Sequence, residues 1–363
     1  EDAHGKLAEQ LRGYNVWLER DLMPHTRSGN RLPEAIYADN LKVYGVKMDP
    51  RLLMERATFG FTEIRDEMQV ISGQIAAAQG LPSGDYRDVV RELKKKQVKG
   101  ENILPLYQDV LKSLEKIIAE HHIVTLPARE SVIRLSTEAE AAAQPAPHMN
   151  PPRLIGNTGE YGEFVLPLRN PNADPDEIMD DFTNEGFAWT LTAHESRPGH
   201  ELQFSAMVET GVSLARAIFA FNSANAEGWG LYSEAIMKEY LPLEGQLFAL
   251  QNRMLRAARA FLDPMLNLGL MQPADAKRFL MQEVNLSDPF ATQEVDRYTF
   301  RAPGQATSCY YGYMNIRSMR LEAELALKDK FNQQAFHDFI IAQGLLPPAQ
   351  LRKAIMEEFV PAQ

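Results

Sequence analysis

The sequence predicts a mainly helical protein with a small β element, on three observations. Residues 1–122 and 176–363 carry apolar side chains at helical spacing, in segments bounded by Gly and Pro. Residues 123–175 instead combine β-branched alternation with many Pro, Gly and Asn residues, and the β element is expected at about 123–170. The composition, 45% hydrophobic and 24% charged, is that of an ordinary globular domain. No boundary forces two units, so residues 1–363 are predicted to form one region.

Five helices are expected in the N-terminal third. The longest begins at Asp49, which precedes a proline, and ends at Gly80. The lysine run at 94–96 is interpreted as a solvated helix face. His121 and His122 end the last of these helices and are interpreted as favourable charge at its C-terminus. The expected segments are 7–24, 31–45, 49–80, 83–97 and 102–122.

The segment 123–175 is expected to hold strands and an ordered loop. Residues 123–137 fit one or two strands, and "EFVLPL" at 163–168 fits another. The Pro- and Gly-rich loop between them is long, which is typical of functional loops in compact domains. Its polar side chains are therefore candidates to line a substrate pocket: His148, Asn150, Arg153 and Asn157.

From about residue 176 the pattern is helical again, and this region carries the strongest chemical motif of the chain. The histidines His4, His25 and His337 belong to no such motif. The expected helices are 176–196, 202–220, 225–240, 244–270, 272–284, 288–300, 311–331 and 332–344.

Charge and cysteine content exclude several classes of protein. The formal net charge of −11 argues against a nucleic-acid binder, which needs a basic face. Because Cys309 is the single cysteine, neither an internal disulfide nor a cysteine-based zinc site is expected. No apolar run approaches the ~20 residues of a membrane span. The start lacks Met and a signal-like apolar stretch, and we interpret it as a processed or truncated end.

The stretch "TLTAHESRPGHELQ", residues 190–203, is close to the H-E-x-x-H helix of zinc hydrolases without matching it. His194 and Glu195 supply the first two letters, where the glutamate would act as general base. His200 follows six residues after the first histidine instead of four. At ~100° per residue, a straight helix would place the two histidines about 120° apart, so they could not hold one metal ion.

A Pro-Gly pair between the histidines offers a remedy. Pro198 lacks an N–H and would clash with the carbonyl of His194, so the helix should stop or kink near Arg197. Gly199 lets the backbone rejoin a second helix at once, which can swing His200 back beside His194. We therefore predict an interruption between Arg197 and Gly199 and converging imidazoles. The competing interpretations are a surface turn and a plain helix start.

The stretch "NAEGWGLYSE", residues 225–234, supplies candidates for a third ligand. Glu227 and Glu234 are seven residues apart and share one helix face. One can bind the metal while the other holds a ligand histidine through a hydrogen bond. Glu227 is favoured as the ligand, because Gly228 and Gly230 beside it let another backbone or a substrate approach closely.

Three motifs together resemble one bacterial family. "TLTAHESRPGHELQ", "NAEGWGLYSEA" and "EVDRYTFRAPGQATS" resemble the domain of unknown function 885 family, and the resemblance covers nearly the whole chain. That family is regarded as metallopeptidase-like. The resemblance implies the helical, cleft-containing architecture of gluzincin peptidases such as the neurolysin and carboxypeptidase Taq groups. It also implies a longer full-length protein, with an N-terminal part before this region, that is exported to the periplasm or lipid-anchored.

By matching position, the resemblance implies one Zn²⁺ ion held by His194, His200 and Glu227, with Glu195 as general base. The implied enzyme is a zinc metallopeptidase that hydrolyses peptides or small amides. Two alternatives stay open: a catalytically silent or weakened metal-binding protein of the same fold, and a hydrolase of non-peptide amides. A purely structural site needs no carboxylate beside its first ligand, so Glu195 separates the first alternative from the enzyme. Endo- or exopeptidase action, side-chain specificity and oligomeric state are not predicted.

Two departures from the family pattern leave open which residue stabilises the oxyanion that would develop during hydrolysis. Cys309 stands where tyrosine is usual, and Asn267 stands where histidine is usual. The candidate donors are Tyr298, Tyr310 and Tyr311. For each of them, the competing interpretation is a core aromatic residue with its hydroxyl satisfied.

Arg297 and Arg301, which lie in the third family motif, are candidates to bind a peptide carboxylate at two points. Arg197, inside the histidine motif, is a further candidate to bind substrate. For Arg297 and Arg301, an ion pair on a helix surface is the competing interpretation.

Overall fold

A computed structural model describes residues 2–26, 29, 31–168 and 179–363, which form a mainly helical body with one small sheet, as predicted. Within this part of the chain, no helix combines the length and apolar character needed to cross a membrane. The N-terminal helices are α1 (Asp2–Trp17), α2 (Glu34–Val43), α3 (Pro50–Gln79), α4 (Tyr86–Lys94) and α5 (Ile103–Glu120). The middle segment contains β1 (Val132–Leu135), α6 (Glu138–Ala143), β2 (His148–Asn150) and β3 (Glu163–Leu166). The remaining helices are α7 (Glu185–Glu195), α8 (His200–Thr210), α9 (Leu214–Phe219), α10 (Ser223–Met237), α11 (Leu243–Asn267), α12 (Pro273–Gln282), α13 (Asp288–Asp296), α14 (Thr307–Leu327), α15 (Gln333–Ala342), α16 (Pro348–Ala354) and α17 (Val360–Ala362).

Local signals account for several helix ends. Asp49 caps α3 by accepting hydrogen bonds from the backbone N–H groups of Arg51 and Leu52, and Gly80 follows the helix with a φ of 66°. Gly211, with a φ of 76°, divides the predicted helix 202–220 into α8 and α9. The C-terminal helices α16 and α17 lie beyond the last predicted one and were missed.

The middle segment contains three strands, of which β2 falls in the stretch predicted to be a loop. The sheet has the order β1-β3-β2, with β1 parallel and β2 antiparallel to β3. Residues 123–137 contribute one strand, and Thr137 then opens α6 through a capping box with Glu140 that the prediction lacks. A helix start was predicted near residue 176, and residues 176–178 lie outside the described part of the chain. Residues 179–184 are described and are not helical. The helix begins at Glu185 instead.

A continuous apolar core holds the helices that carry the histidine motif. α11 packs against α3, α7 and α14, and α10 packs against α14. The contact between α10 and α14 is close: a Cβ on Gly228 would lie 2.6 Å from the Cα of Gly312, and one on Gly312 would overlap the carbonyl oxygen of Ala224. Glycine at these two positions therefore fixes α10, which bears both candidate glutamates, against the core.

Lys94 corrects the interpretation of the lysine run as a solvated face. Its side chain is 6% exposed, and its Nζ lies 2.6 Å from Asp181 and 2.9 Å from Asp180. Lys95 and Lys96 are exposed, as predicted. Because a buried ammonium group needs charged partners, Lys94 ties α4 to the segment that precedes α7.

His337 joins α15 to α10 and to the segment that follows α5, through one hydrogen bond to each. It is fully buried; its Nδ1 lies 2.6 Å from the carbonyl oxygen of Ile123, and its Nε2 lies 2.8 Å from the hydroxyl of Tyr232. These partners are consistent with a neutral ring that donates from Nδ1 and accepts at Nε2. Burial lowers the pKa of His337 to about 4.

The lowered pKa of His337 predicts a loss of stability in acid. Since the folded-state pKa lies below the unfolded value, the stabilisation is fully present above pH ~6.5 and is lost as the pH falls through that value towards 4. Between pH 7 and pH 4 we expect a loss of about 3 kcal/mol from this group, measured as the free energy of unfolding in urea. His337→Gln should show a correspondingly shallower dependence; identical slopes in both proteins would contradict this.

Candidate metal centre

The helix that carries the histidine motif is interrupted where the sequence predicts. α7 ends at Glu195 and α8 begins at His200. A Cβ on Gly199 would overlap the carbonyl oxygen of His194. Gly199 has a φ of −77°, so glycine is required here by the close approach of two backbone segments and not by a left-handed conformation.

The interruption brings the two histidines together. The ring centroids of His194 and His200 lie 4.6 Å apart, with an angle of 85° between the ring planes. α10, the next helix but one after α8, brings Glu227 to them, and one ligand atom from each of the three side chains lies within 4.8 Å of the others. Gly230 leaves room for both rings, since a Cβ there would lie 2.7 Å from Cε1 of His194 and 2.9 Å from Cε1 of His200. The predicted interruption and convergence are confirmed.

Glu234 orients His194. Its Oε1 lies 2.7 Å from Nδ1 of His194, while its Oε2 accepts hydrogen bonds from Thr190 at 2.6 Å and from Asn252 at 3.0 Å. Burial opposes ionisation of Glu234, but Arg256 and His194 outweigh this effect and lower its pKa. An ionised Glu234 holds the proton of His194 on Nδ1, which leaves Nε2 as the atom that can donate a lone pair.

The protonation states at the cluster favour metal binding. Burial, with repulsion from His194, lowers the pKa of His200 to about 3, so this imidazole is neutral. Burial opposes ionisation of Glu227, but the two histidines and Arg297 lower its pKa to about 2. For His194 burial favours the neutral form, yet Glu234 outweighs it and raises the pKa. A metal ion would therefore displace a proton from His194 when it binds.

The donor set fits a zinc ion. Zinc accepts histidine nitrogen and carboxylate oxygen, and a triad of this composition leaves a fourth position for water. Two atoms bound to one ion at ~2.1 Å lie at most about 4.2 Å apart, so the observed spacing is within reach of small side-chain shifts. In addition, Nδ1 of His200 is buried and has no hydrogen-bond partner in the described part of the chain.

The cluster borders a cavity of about 670 Å³, and Glu195 lies on the same wall as the three candidate ligands. Burial raises the pKa of Glu195 to about 7, while attraction to His194 and repulsion from Glu227 have smaller, opposing effects. A carboxyl group with a pKa near neutrality can both accept and return a proton. The cavity thus combines a candidate metal-binding triad with a carboxyl group that could accept a proton.

Comparison with known proteins establishes the family. The family model for a "Bacterial protein of unknown function (DUF885)" matches residues 1–355. The chain belongs to the DUF885 family. No curated protein matches it.

Two solved structures share the DUF885 chain's fold. A candidate lipoprotein from Colwellia psychrerythraea aligns over 94% of this chain with a TM-score of 0.80 and 22% identity. A candidate lipoprotein of unknown function from Shewanella oneidensis aligns over 98% with a TM-score of 0.77 and 21% identity. The alignments cover 58% and 64% of those two chains, so this chain spans less than two thirds of either relative.

Some of the predicted substrate-contacting residues line the cavity of the DUF885 chain. His148 does so from β2, with its Nδ1 3.0 Å from the carbonyl oxygen of Ala146. Arg301 also lines the cavity, is exposed, and forms no ion pair within the described part of the chain. Arg297 lines it too, but lies 3.6 Å from Glu294, so the ion-pair interpretation holds for this arginine.

Arg197 and Arg153 do not reach the cavity, which corrects the prediction for both. Arg197 is buried, with Nε 2.9 Å from Glu201 and Nη1 2.6 Å from Glu115. Its guanidinium group therefore links α8 to α5. Arg153 pairs with Glu160 inside its own exposed loop. Two further loop residues also lie outside the cavity lining: Asn150 and Asn157.

None of the three predicted tyrosine donors lines this cavity. Tyr298 is fully buried and donates a hydrogen bond to Glu294 at 2.6 Å. Tyr310 faces a second cavity, and Tyr311 is part of the hydrophobic core. Neighbouring helical residues point ~100° apart, and Cys309 is the residue that faces the site, with its Sγ 3.2 Å from Oε2 of Glu227. The prediction of a tyrosine donor is wrong for this reason.

Asn267, the other departure from the family pattern, is structural. Its side-chain amide donates to Asp263 and to the carbonyl oxygen of Tyr298, each at 3.0–3.1 Å. Burial raises the pKa of Asp263 to about 7, although hydrogen bonds from Gly304, Tyr37 and Asn267 act to lower it. This cluster anchors the turn that follows residue 301, so Asn267 acts at a distance from the metal site.

Arg256 is a site residue that the sequence prediction missed. It lies on α11, is 7% exposed and lines the cavity. One Nη lies 3.8 Å from Glu234 and the other donates to Asn252, while Nε has no partner in the described part of the chain. The available signal was a set of three arginines, at 253, 256 and 259, inside a long helix rich in apolar residues.

Proposed function

We propose that this chain is a zinc-dependent hydrolase that cleaves peptide bonds. The ligands would be His194, His200 and Glu227, and the general base would be Glu195. The observation that carries the proposal is the joint placement of these four side chains on one cavity, with Glu234 orienting the first histidine. A triad that served only to stabilise the fold would not need the half-buried carboxyl group of Glu195 beside it, which forms no ion pair within the described part of the chain.

The chain's own residues divide the chemistry among them. When bound, zinc would act as a Lewis acid and lower the pKa of a water molecule from 15.7 towards ~7. Glu195 would accept a proton from that water and later return it to the leaving amine. Arg256, a buried cation on the cavity wall, is our candidate to stabilise the negative charge that develops on the carbonyl oxygen.

The finer architecture and the cellular location are also proposals. The mainly helical body and the cleft beside the triad are compatible with a gluzincin fold of the neurolysin or carboxypeptidase Taq kind. Both structural neighbours are candidate lipoproteins, which supports export to the periplasm or lipid anchoring for this chain. A small-amide substrate is the second candidate, because the cavity of about 670 Å³ holds a ligand of that size.

Hydrolysis of a mixed peptide library by the zinc-loaded protein tests the proposal. We expect cleavage that a chelator abolishes and added zinc restores, with new termini identified by mass spectrometry. A parallel set of aryl amides that are not peptides separates the two hydrolase candidates. If the zinc-loaded protein cleaves neither set, the chain is a metal-binding protein without this activity.

A further inference from the structure

A second cavity, of about 1140 Å³, lies among α3, α10, α11 and α14 and shares no lining residue with the metal cavity. The side chains that line it include apolar residues and charged residues of both signs. α11 and α14 contribute Arg253, Arg317, Arg320 and Glu324, while α3 contributes Glu55, Glu63, Glu67 and Arg56. Lys238, which follows α10, pairs with Glu67. Cations therefore predominate on α11 and α14, and carboxylates predominate on α3.

Two of these arginines form no ion pair with any acidic residue that the structure describes. The guanidinium carbons of Arg253 and Arg317 lie 5.7 Å and 5.5 Å from the ring centroid of Tyr313. Arg317 donates one hydrogen bond, to the hydroxyl of Tyr313, and Nε of Arg253 is shielded from solvent with no partner in the described part of the chain. By contrast, Arg320 pairs with Glu324 in the same cavity.

The unpaired guanidinium groups are arranged for an anion. Two arginines beside one aromatic ring both supply N–H donors near that ring, and a carboxylate can accept hydrogen bonds from two such donors. These features make the Tyr313 end of the cavity the anion-binding end.

The opposite wall narrows the class of ligand. Glu55 and Glu63 form no ion pair with the described residues, and both are exposed. A dianion such as a phosphate monoester would be repelled by them, whereas an ammonium group would be attracted. Phe59 on α3 and Leu321 on α14 also line the cavity and are 67% and 55% exposed, so they offer a surface for an apolar side chain.

We propose that this cavity binds a zwitterion of the amino-acid type, with its carboxylate on Arg253 and Arg317 and its ammonium group towards Glu63. The site is independent of the metal centre, because no side chain lines both cavities. Its existence depends on neither zinc nor hydrolysis.

Calorimetric titration of the full chain with free leucine tests the site, since leucine cannot be hydrolysed. Leucinol lacks the carboxylate and 4-methylpentanoate lacks the ammonium group, and neither contains an amide bond, so each should bind ~10-fold or more weakly than leucine. Phenyl phosphate tests the competing anion. Tighter binding of phenyl phosphate than of leucine, or no leucine binding at millimolar concentration, would overturn the assignment.

Variants locate the binding. Arg317 is exposed, so Arg317→Gln should fold normally and weaken leucine binding ~10-fold, and Arg253→Gln should do the same. Arg91→Gln removes an exposed arginine from α4, and Arg301→Gln removes one from the metal cavity; both should bind leucine within about twofold of the wild type. Binding that depends on Arg301 and not on Arg317 would place the ligand in the metal cavity and refute the second site.

Discussion

Replacement of Glu195 by glutamine is expected to lower peptide hydrolysis by ~10²–10⁴-fold while leaving one zinc ion per chain. Glutamine keeps the size of the side chain but cannot accept a proton from water. Glu195 accepts no hydrogen bond from the described residues that this change would break, and its pKa of about 7 reflects burial and neighbouring charges. The metal-binding triad should therefore be unaffected, and the loss should lie in kcat.

Glu239→Gln is a matched control, because Glu239 is exposed on the turn that follows α10. Its hydrolysis rate should equal that of the wild type. Equal rates for the wild type and Glu195→Gln on any cleaved peptide would show that Glu195 is not the base. Loss of zinc from Glu195→Gln would instead show that this residue belongs to the ligand set.

Gly230→Ala should raise the dissociation constant for zinc by ~10–100-fold or more, although no ligand residue is changed. The added Cβ would lie 2.7 Å from Cε1 and 2.9 Å from Nε2 of His194, and 2.9 Å from Cε1 of His200. Both rings are buried, so neither can move aside without disturbing its own packing. The dissociation constant for zinc, measured by competition with a chelating dye, reports the effect.

Gly73→Ala is the control for a glycine-to-alanine change inside a helix. Gly73 lies on α3, and a Cβ there would meet no atom within 4 Å. This variant should keep its zinc and gain about 0.5–1 kcal/mol of stability, since alanine is the better helix former. If Gly230→Ala binds zinc as tightly as Gly73→Ala, the histidines do not act together on one ion.

Features set by neighbouring residues could be predicted from the sequence. The start of α3 at Asp49 follows from a side-chain cap, and its end at Gly80 follows from a left-handed residue. The break after α7 follows from the geometry of Pro198, which acts on the residues just before it. The return of His200 to His194 could be predicted because both lie within one short segment.

Features set by the packing of distant helices could not be predicted. Arg256 reaches the site from α11, and spacing along the chain says nothing of which helix will face α7. Spacing also left the roles of Glu227 and Glu234 to be assigned, and the contact of Glu234 with His194 is what separates them. Arg197 lies inside the motif, but it forms an ion pair with Glu115 on α5 and does not line the cavity.

Zinc content of the purified protein and its ligand variants is the most direct test of the metal centre. We expect one zinc ion per chain in the wild type and in a His4→Ala control, since His4 lies on α1, outside the site. We expect loss of that ion in each of His194→Ala, His200→Ala and Glu227→Ala. Stoichiometric zinc in all three variants, or none in the zinc-treated wild type, would contradict the assignment of these residues as ligands.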